Sequence, residues 1–195
     1  MRDVESFHFA VDARVRPDAG LSGAEIPISY VGDVLTPDRV RGTLSVSLGF
    51  FTLEIETITI GEAAYTTDPQ TGEWGIASDP ISALPNPVEL TGADTLALND
   101  ATLVGEETLD GERVYRLRGA PPPATVGGVA TADFWIGVED FLIRQITAEG
   151  SMALEDVADA LGGGGLSGTA TLSMTITFSR YGEPVVIEAP EVDGG

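Results

Sequence analysis

Thr169-Ala170-Thr171-Leu172-Ser173-Met174-Thr175-Ile176-Thr177-Phe178 alternates without a break. Ala170, Leu172, Met174, Ile176 and Phe178 share one parity, and the hydroxyl residues share the other. Successive side chains of a strand point to opposite faces, so the stretch predicts a β-strand with one apolar and one wet face. Antiparallel sheets tolerate water on one face, whereas fully parallel ones are usually covered on both. The run is long for a strand, which suits a sheet that bends or coils.

The same alternation recurs along the chain. Residues 7–15 place Phe7, Phe9, Val11, Ala13 and Val15 on one side, with His8 on the other. Extended pieces follow at 26–34 (Pro27 marking an edge or a strand start), at 40–48, and at 51–60. Near Thr57 the apolar positions change parity to Ile58 and Ile60, which predicts a bulge or a strand crossing a bend. Asp68-Pro69-Gln70-Thr71-Gly72 and Asp110-Gly111 are hairpin connections, and a third hairpin turns at 138–140. Short helices are expected at 79–84 and 92–98, among Pro80, Pro85 and Pro87. Leu154, Val157, Ala158 and Leu161 follow helical spacing over 153–161, and four glycines at 162–165 end that helix.

About ten strands and two or three short helices predict an α+β fold dominated by antiparallel hairpins. The chain reads as a single domain over 1–190 with a loose tail at 191–195. The helices are too few to cover two faces, so the Thr-, Ser-, Glu- and Arg-rich face must be the outside. The apolar face must be closed by curling, by the helices, or by a guest. Composition leaves dense packing and a ligand cavity as open alternatives.

Composition also excludes function classes. Thirty-one acids against ten basic residues, all arginine, give a net charge of −21. That charge repels phosphate backbones, so no nucleic-acid partner is expected, nor adhesion to anionic lipid through a basic patch. A hydrophobic content of 43% is too high for a disordered acidic chain. Absence of cysteine removes disulfides, thiol nucleophiles and thiolate metal sites. No apolar run reaches transmembrane length. His8 is the only histidine and is expected to face water, too isolated for a catalytic or zinc site. Residues 68–73 lack the regular acid spacing of a calcium loop and read as a turn. Glu54 and Glu56 share a strand face about 7 Å apart, a range at which paired carboxylates can cleave glycosides. An exposed acidic face is the plainer reading. No metal or cofactor is expected.

The hairpin motifs, taken in order, resemble a known family. Gly61-Glu62-Ala63-Ala64-Tyr65-Thr66-Thr67-Asp68-Pro69-Gln70-Thr71-Gly72-Glu73-Trp74, the 105–119 hairpin, Asp133-Phe134-Trp135-Ile136-Gly137 with Leu142-Ile143-Arg144, and the closing run 178–190 are similar to the LppX, LprA, LprF and LprG lipoproteins. The resemblance implies an unclosed β half-barrel with helices across its mouth, like the LolA and LolB carriers. It implies an extracytoplasmic, membrane-anchored lipoprotein that holds acyl chains of a lipid or lipoglycan, with no enzymatic activity. An envelope transporter is the partner this implies, and residues 1–6 are expected to be the stump of the family's first helix. On this reading Leu44, Val46, Leu53, Leu117, Ile146, Leu172, Met174, Ile176 and Phe178 line the concave side. Ile81, Leu84, Leu96 and Leu98 lie over the mouth, and Trp135 is either cavity wall or hairpin packing, as is Trp74. Two other readings stand beside it: an envelope protein-binding or stress-sensing module of the same fold, and a carboxylate-dependent hydrolase.

Overall fold

The computed structural model describes residues 4–18, 25–47, 49–77, 99–120, 129–153 and 168–192. Eleven strands form one antiparallel sheet: β1 (Ser6–Pro17), β2 (Ile26–Leu35), β3 (Arg39–Ser47), β4 (Thr52–Ile60), β5 (Ala63–Thr67), β6 (Trp74–Ile76), β7 (Asn99–Leu109), β8 (Glu112–Ala120), β9 (Val129–Gly137), β10 (Ile143–Ala153) and β11 (Thr169–Ser179). Their spatial order is β6-β5-β4-β3-β2-β1-β11-β10-β9-β8-β7. Every neighbour in sequence is a neighbour in space except β6 and β7, which are the two edges of an open sheet. The first and last strands pair at its centre, from His8↔Ser179 to Pro17↔Ala170. The expected helices at 79–84, 92–98 and 153–161 and the four expected mouth residues fall outside the described residues.

The ladder explains why the alternation works. On β11 the apolar residues are buried, and Thr169, Thr171, Ser173 and Thr177 are exposed. β1 repeats the pattern in register, so Phe9 pairs with Phe178, Val11 with Ile176 and Ala13 with Met174. Two apolar strands thus share one face at the middle of the sheet.

The hairpin turns follow their residues. Asp110 (φ 51°) and Gly111 (φ 87°) both take the left-handed conformation that a two-residue hairpin needs to match strand twist. At 68–72, Asp68 Oδ1 accepts from the amides of Gln70 (2.7 Å) and Thr71 (3.0 Å). Those bonds hold the Asp68 carboxyl below its ordinary range.

One expectation on strand geometry is revised. β3 and β4 stay in register from Ser47↔Thr52 to Arg39↔Ile60, so no bulge sits near Thr57. Instead Thr57 occupies the apolar face as a bonded polar residue, its Oγ1 3.0 Å from the Tyr30 hydroxyl and donating to the Gly42 carbonyl (3.3 Å). Ile58 and Ile60 fall opposite Arg41 and Arg39 on the other face. Bulges do occur, but in the β7–β10 limb: between Leu103 and Gly105, between Ile143 and Gln145, and between Glu149 and Gly150.

The polar face is partly covered too. The residues after β11 form no strand but run across it. Gly182 N donates to Ser6 O (2.9 Å), Ser6 Oγ to Glu183 O (2.5 Å), and Arg39 Nη1 to Ile187 O (2.9 Å). Ser6, Leu35 and Arg39 are register partners on β1, β2 and β3, so this segment tracks one rung of the sheet. Ile187 is only 1% exposed there.

Candidate functional site

The apolar face is the candidate site. Its organisation is a set of rungs that cross the sheet. The longest runs Leu103–Leu117–Phe134–Ile146–Ile176–Val11–Tyr30–Leu44–Ile55, one residue from each of nine strands. The next rung contains Gly119, Ala132, Ala148, Met174, Ala13, Ile28, Val46 and Leu53. Beyond it lie Gly150, Leu172, Val15 and Ile26. On the other side of the long rung come Phe178, Phe9, Gly32 and Gly42, and then Phe7, Val34 and Val40.

The rungs differ in bulk from one end to the other. Phe7, Phe178 and Tyr181 make ring contacts at 5.9 Å, and Phe9 meets Tyr30 edge-on at 5.0 Å. These aromatics fill the end where the strands are joined by tight turns at 36–38, 61–62, 110–111 and 138–142. The other end carries Ala13, Ala132, Ala148 and Ala170 on its apolar face, all buried. The ends of β1, β8 and β10 and the starts of β2, β9 and β11 lie there, as do Phe50 and Phe51 between β3 and β4. Small side chains leave space that large ones fill. The apolar face therefore carries its aromatic rings toward the tight turns and its buried alanines toward the opposite strand ends.

Between the two ends the sheet pinches. Gly32 and Gly42 are register partners on this face. A Cβ at Gly32 would lie 2.1 Å from the Arg41 carbonyl oxygen and 2.7 Å from Gly42 Cα. A Cβ at Gly42 would meet the Tyr30 ring at 2.6 Å. Directly opposed Cβ atoms in a regular antiparallel pair stand about 5 Å apart. Glycine here permits a close approach of the two backbones, and the Tyr30 ring lies in the gap so formed. Burial pushes the Tyr30 phenol upward, outweighing the bond to Thr57, so it stays neutral at physiological pH.

Of the expected lining, Leu44, Val46, Ile146, Leu172, Met174, Ile176 and Phe178 are buried members of one core cluster, and Leu53 and Leu117 pack against it partly buried. Trp135 is separated from them. It faces the polar side, where its Nε1 donates to Glu107 Oε2 (3.0 Å) and the Arg116 guanidinium stacks 5.1 Å from its ring. Adjacent residues of a strand cannot share a face, and the register sets Phe134 opposite Leu117 and Ile146. The aromatic of this strand that belongs to the apolar face is Phe134. Trp74, on β6 near the sheet edge, is half-buried.

Around Trp135 the polar face carries a charged lattice. Asp133 accepts from Arg118 Nε and Nη2 (2.9 Å each) and from Arg116 Nε and Nη2 (3.2 and 3.1 Å). The Arg118 hydrogen bonds, helped by Arg116, hold the Asp133 carboxyl below its ordinary range despite its burial. A carboxylate whose folded pKa is depressed adds stability above its unfolded pKa of about 3.9 and loses it as pH falls through the folded value. Asp133→Asn should therefore lower the thermal midpoint at pH 7 by about 2–4 °C. The gap from wild type should narrow progressively as pH falls below about 3.9. A pH-independent gap would assign the loss to packing instead.

The acidic pair Glu54 and Glu56 is exposed on this polar face. His8 is half-covered there, with Nδ1 2.9 Å from Asp33 Oδ1 and Arg180 Nη2 reaching both. Together with Glu183, Pro184, Val185 and Val186 they line a pocket of about 230 Å³ beneath the segment after β11. Among the described residues no group of acids and His8 is arranged to hold a metal ion.

No protein-family model matches this sequence, and no curated protein matches it. Solved structures do match. LprF from Mycobacterium bovis superposes with a TM-score of 0.52 at 13% identity, covering 96% of this chain and 90% of that one. The Mycobacterium tuberculosis lipoprotein LppX gives 0.52 at 15% identity, covering 95% and 91%. A LolA superfamily protein from Nitrosomonas europaea reaches 0.35, too low to carry an argument about this chain. The superposition over nearly the whole of each chain assigns this protein the fold of the LprF and LppX lipoproteins.

Proposed function

We propose that this protein is a non-enzymatic, extracytoplasmic lipid carrier that holds acyl chains against its apolar face. The supporting observation is the nine-strand apolar rung together with the taper from aromatic to alanine residues. A hydrocarbon chain needs an oily lining without charge, a closed end and an open end. It needs no proton transfer. Each buried methylene contributes about 0.8 kcal/mol, so a chain of sixteen carbons brings on the order of 13 kcal/mol before ordering costs. On this reading the sheet curls into a half-barrel around the acyl chain. Anchoring through an N-terminal lipid and delivery to an envelope transporter complete the proposal, supported by the likeness to two lipoproteins.

The test is organic extraction of the purified protein followed by mass spectrometry, with a fluorescent acyl probe added to the lipid-free form. Recovery of acyl lipid near one per chain, and probe emission that rises and saturates, are expected. Neither lipid nor a probe response would remove the carrier reading and leave the protein-binding module of the same fold.

A further inference from the structure

We infer that the β3–β4 hairpin tip is a membrane-docking element that inserts Phe50 and Phe51 into a neutral lipid surface. Phe50 is 96% exposed and Phe51 48%, and their rings meet at 5.5 Å. Of the other large apolar side chains exposed among the described residues, Ile76, Phe141 and Val186 stand apart from one another, and Leu103 and Val104 adjoin within strand β7 rather than at a hairpin tip. Scattered apolar residues are ordinary on a surface, whereas two adjoining aromatics on one hairpin tip leave a contiguous patch in water.

Three features fit a bilayer. The tip is uncharged: Ser47 and Thr52 close its base with their hydroxyls 3.2 Å apart, and the nearest acid along β4 is Glu54. In a chain of net charge −21, that makes the tip a neutral apolar point on an acidic body. Phe side chains on an interfacial element bury at the boundary of head groups and acyl chains, and the hydroxyls of Ser47 and Thr52 would then lie at head-group depth. The tip also stands at the alanine-bearing end of the apolar face, just beyond the Val46↔Leu53 pair. A tip seated in the bilayer would bring the lining's open end to the lipid. The inference rests on the carrier reading for its purpose, and its chemistry stands on the tip alone.

The chain has no cysteine, so single labels are clean. Phe50→Cys and, at the opposite end, Phe141→Cys would each carry an environment-sensitive dye. With phosphatidylcholine vesicles, the dye at position 50 should shift to shorter wavelength and the dye at 141 should not. Phe50→Ser combined with Phe51→Ser should reduce co-flotation with these vesicles at least tenfold, with an unchanged melting curve. Phosphatidylglycerol vesicles should bind less well than phosphatidylcholine at low salt, because the body is acidic. The double variant should still bind the soluble acyl probe as wild type does, so loss of docking and loss of cargo binding are read separately. An equal response from both dyes, no response, or undiminished flotation of the double variant overturns the proposal. A blue shift at position 50 without vesicles, accompanied by dimers in sedimentation, overturns it in favour of a second copy of this chain.

Discussion

Gly32→Ala should cost about 4 kcal/mol or more and leave little folded protein at 37 °C. The added methyl is small, but its position is fixed by the backbone. It would sit 2.1 Å from the Arg41 carbonyl oxygen and 2.7 Å from Gly42 Cα, both main-chain atoms that cannot swing aside. Relief requires separating β2 from β3, which breaks ladder bonds in the limb that carries Tyr30, Leu44 and Val46. Domains are typically stable by about 5–15 kcal/mol, so such a loss is a large fraction of the total. Gly42→Ala should be milder, about 1–3 kcal/mol, because its methyl meets the Tyr30 ring, a side chain that can shift. Gly75→Ala, with nothing within 4 Å, should be close to neutral. Urea melts of the three variants should therefore rank Gly32, Gly42, Gly75 in order of damage. Coincident midpoints for all three would refute the pinch.

Met174→Glu should abolish binding of the acyl probe. Met174 is buried near the centre of the apolar face, between the small side chains of Ala13 and Ala148 in register. A carboxylate there has neither water nor a cation to accept from, and an apolar guest cannot repay its desolvation. The same physics threatens folding, so a companion is needed. Leu53→Glu stands farther out on the same rung, at a partly buried position on β4 where the new carboxylate can reach solvent. It should fold with a near-normal melt and bind the probe at least tenfold more weakly. If Leu53→Glu and a folded Met174→Glu both bound normally, the apolar face would not be the acyl site.

Much of this architecture was legible in residue order. Strict alternation at 7–15, 40–48 and 169–178 identifies strands because side-chain direction has period two regardless of what covers the face. Asp110-Gly111 announces its hairpin because few residue pairs accept two positive φ angles. Most of the expected lining shares one face for the same reason: parity within a strand is a local property. Trp135 shows where local reading stops. Phe134 and Trp135 are adjacent aromatics of similar apolar area, and only the pairing with Leu117 and Ile146 decides which of them turns inward. The shift between Ile143 and Gln145 helps set that pairing.

What the amino-acid order determined, then, is the period of each strand, the positions of the tight turns and the absence of thiol chemistry. Tertiary structure alone decided which strands are neighbours, and therefore that β1 meets β11, that nine apolar residues form one rung, and that Gly32 faces Gly42. It also decided that a run of prolines, glutamates and valines after β11 would lie across the polar face with Ile187 buried. The reason is range. Side-chain alternation is settled by the backbone of a few residues, whereas register is settled by the burial of whole faces against partners as far away as the other end of the chain.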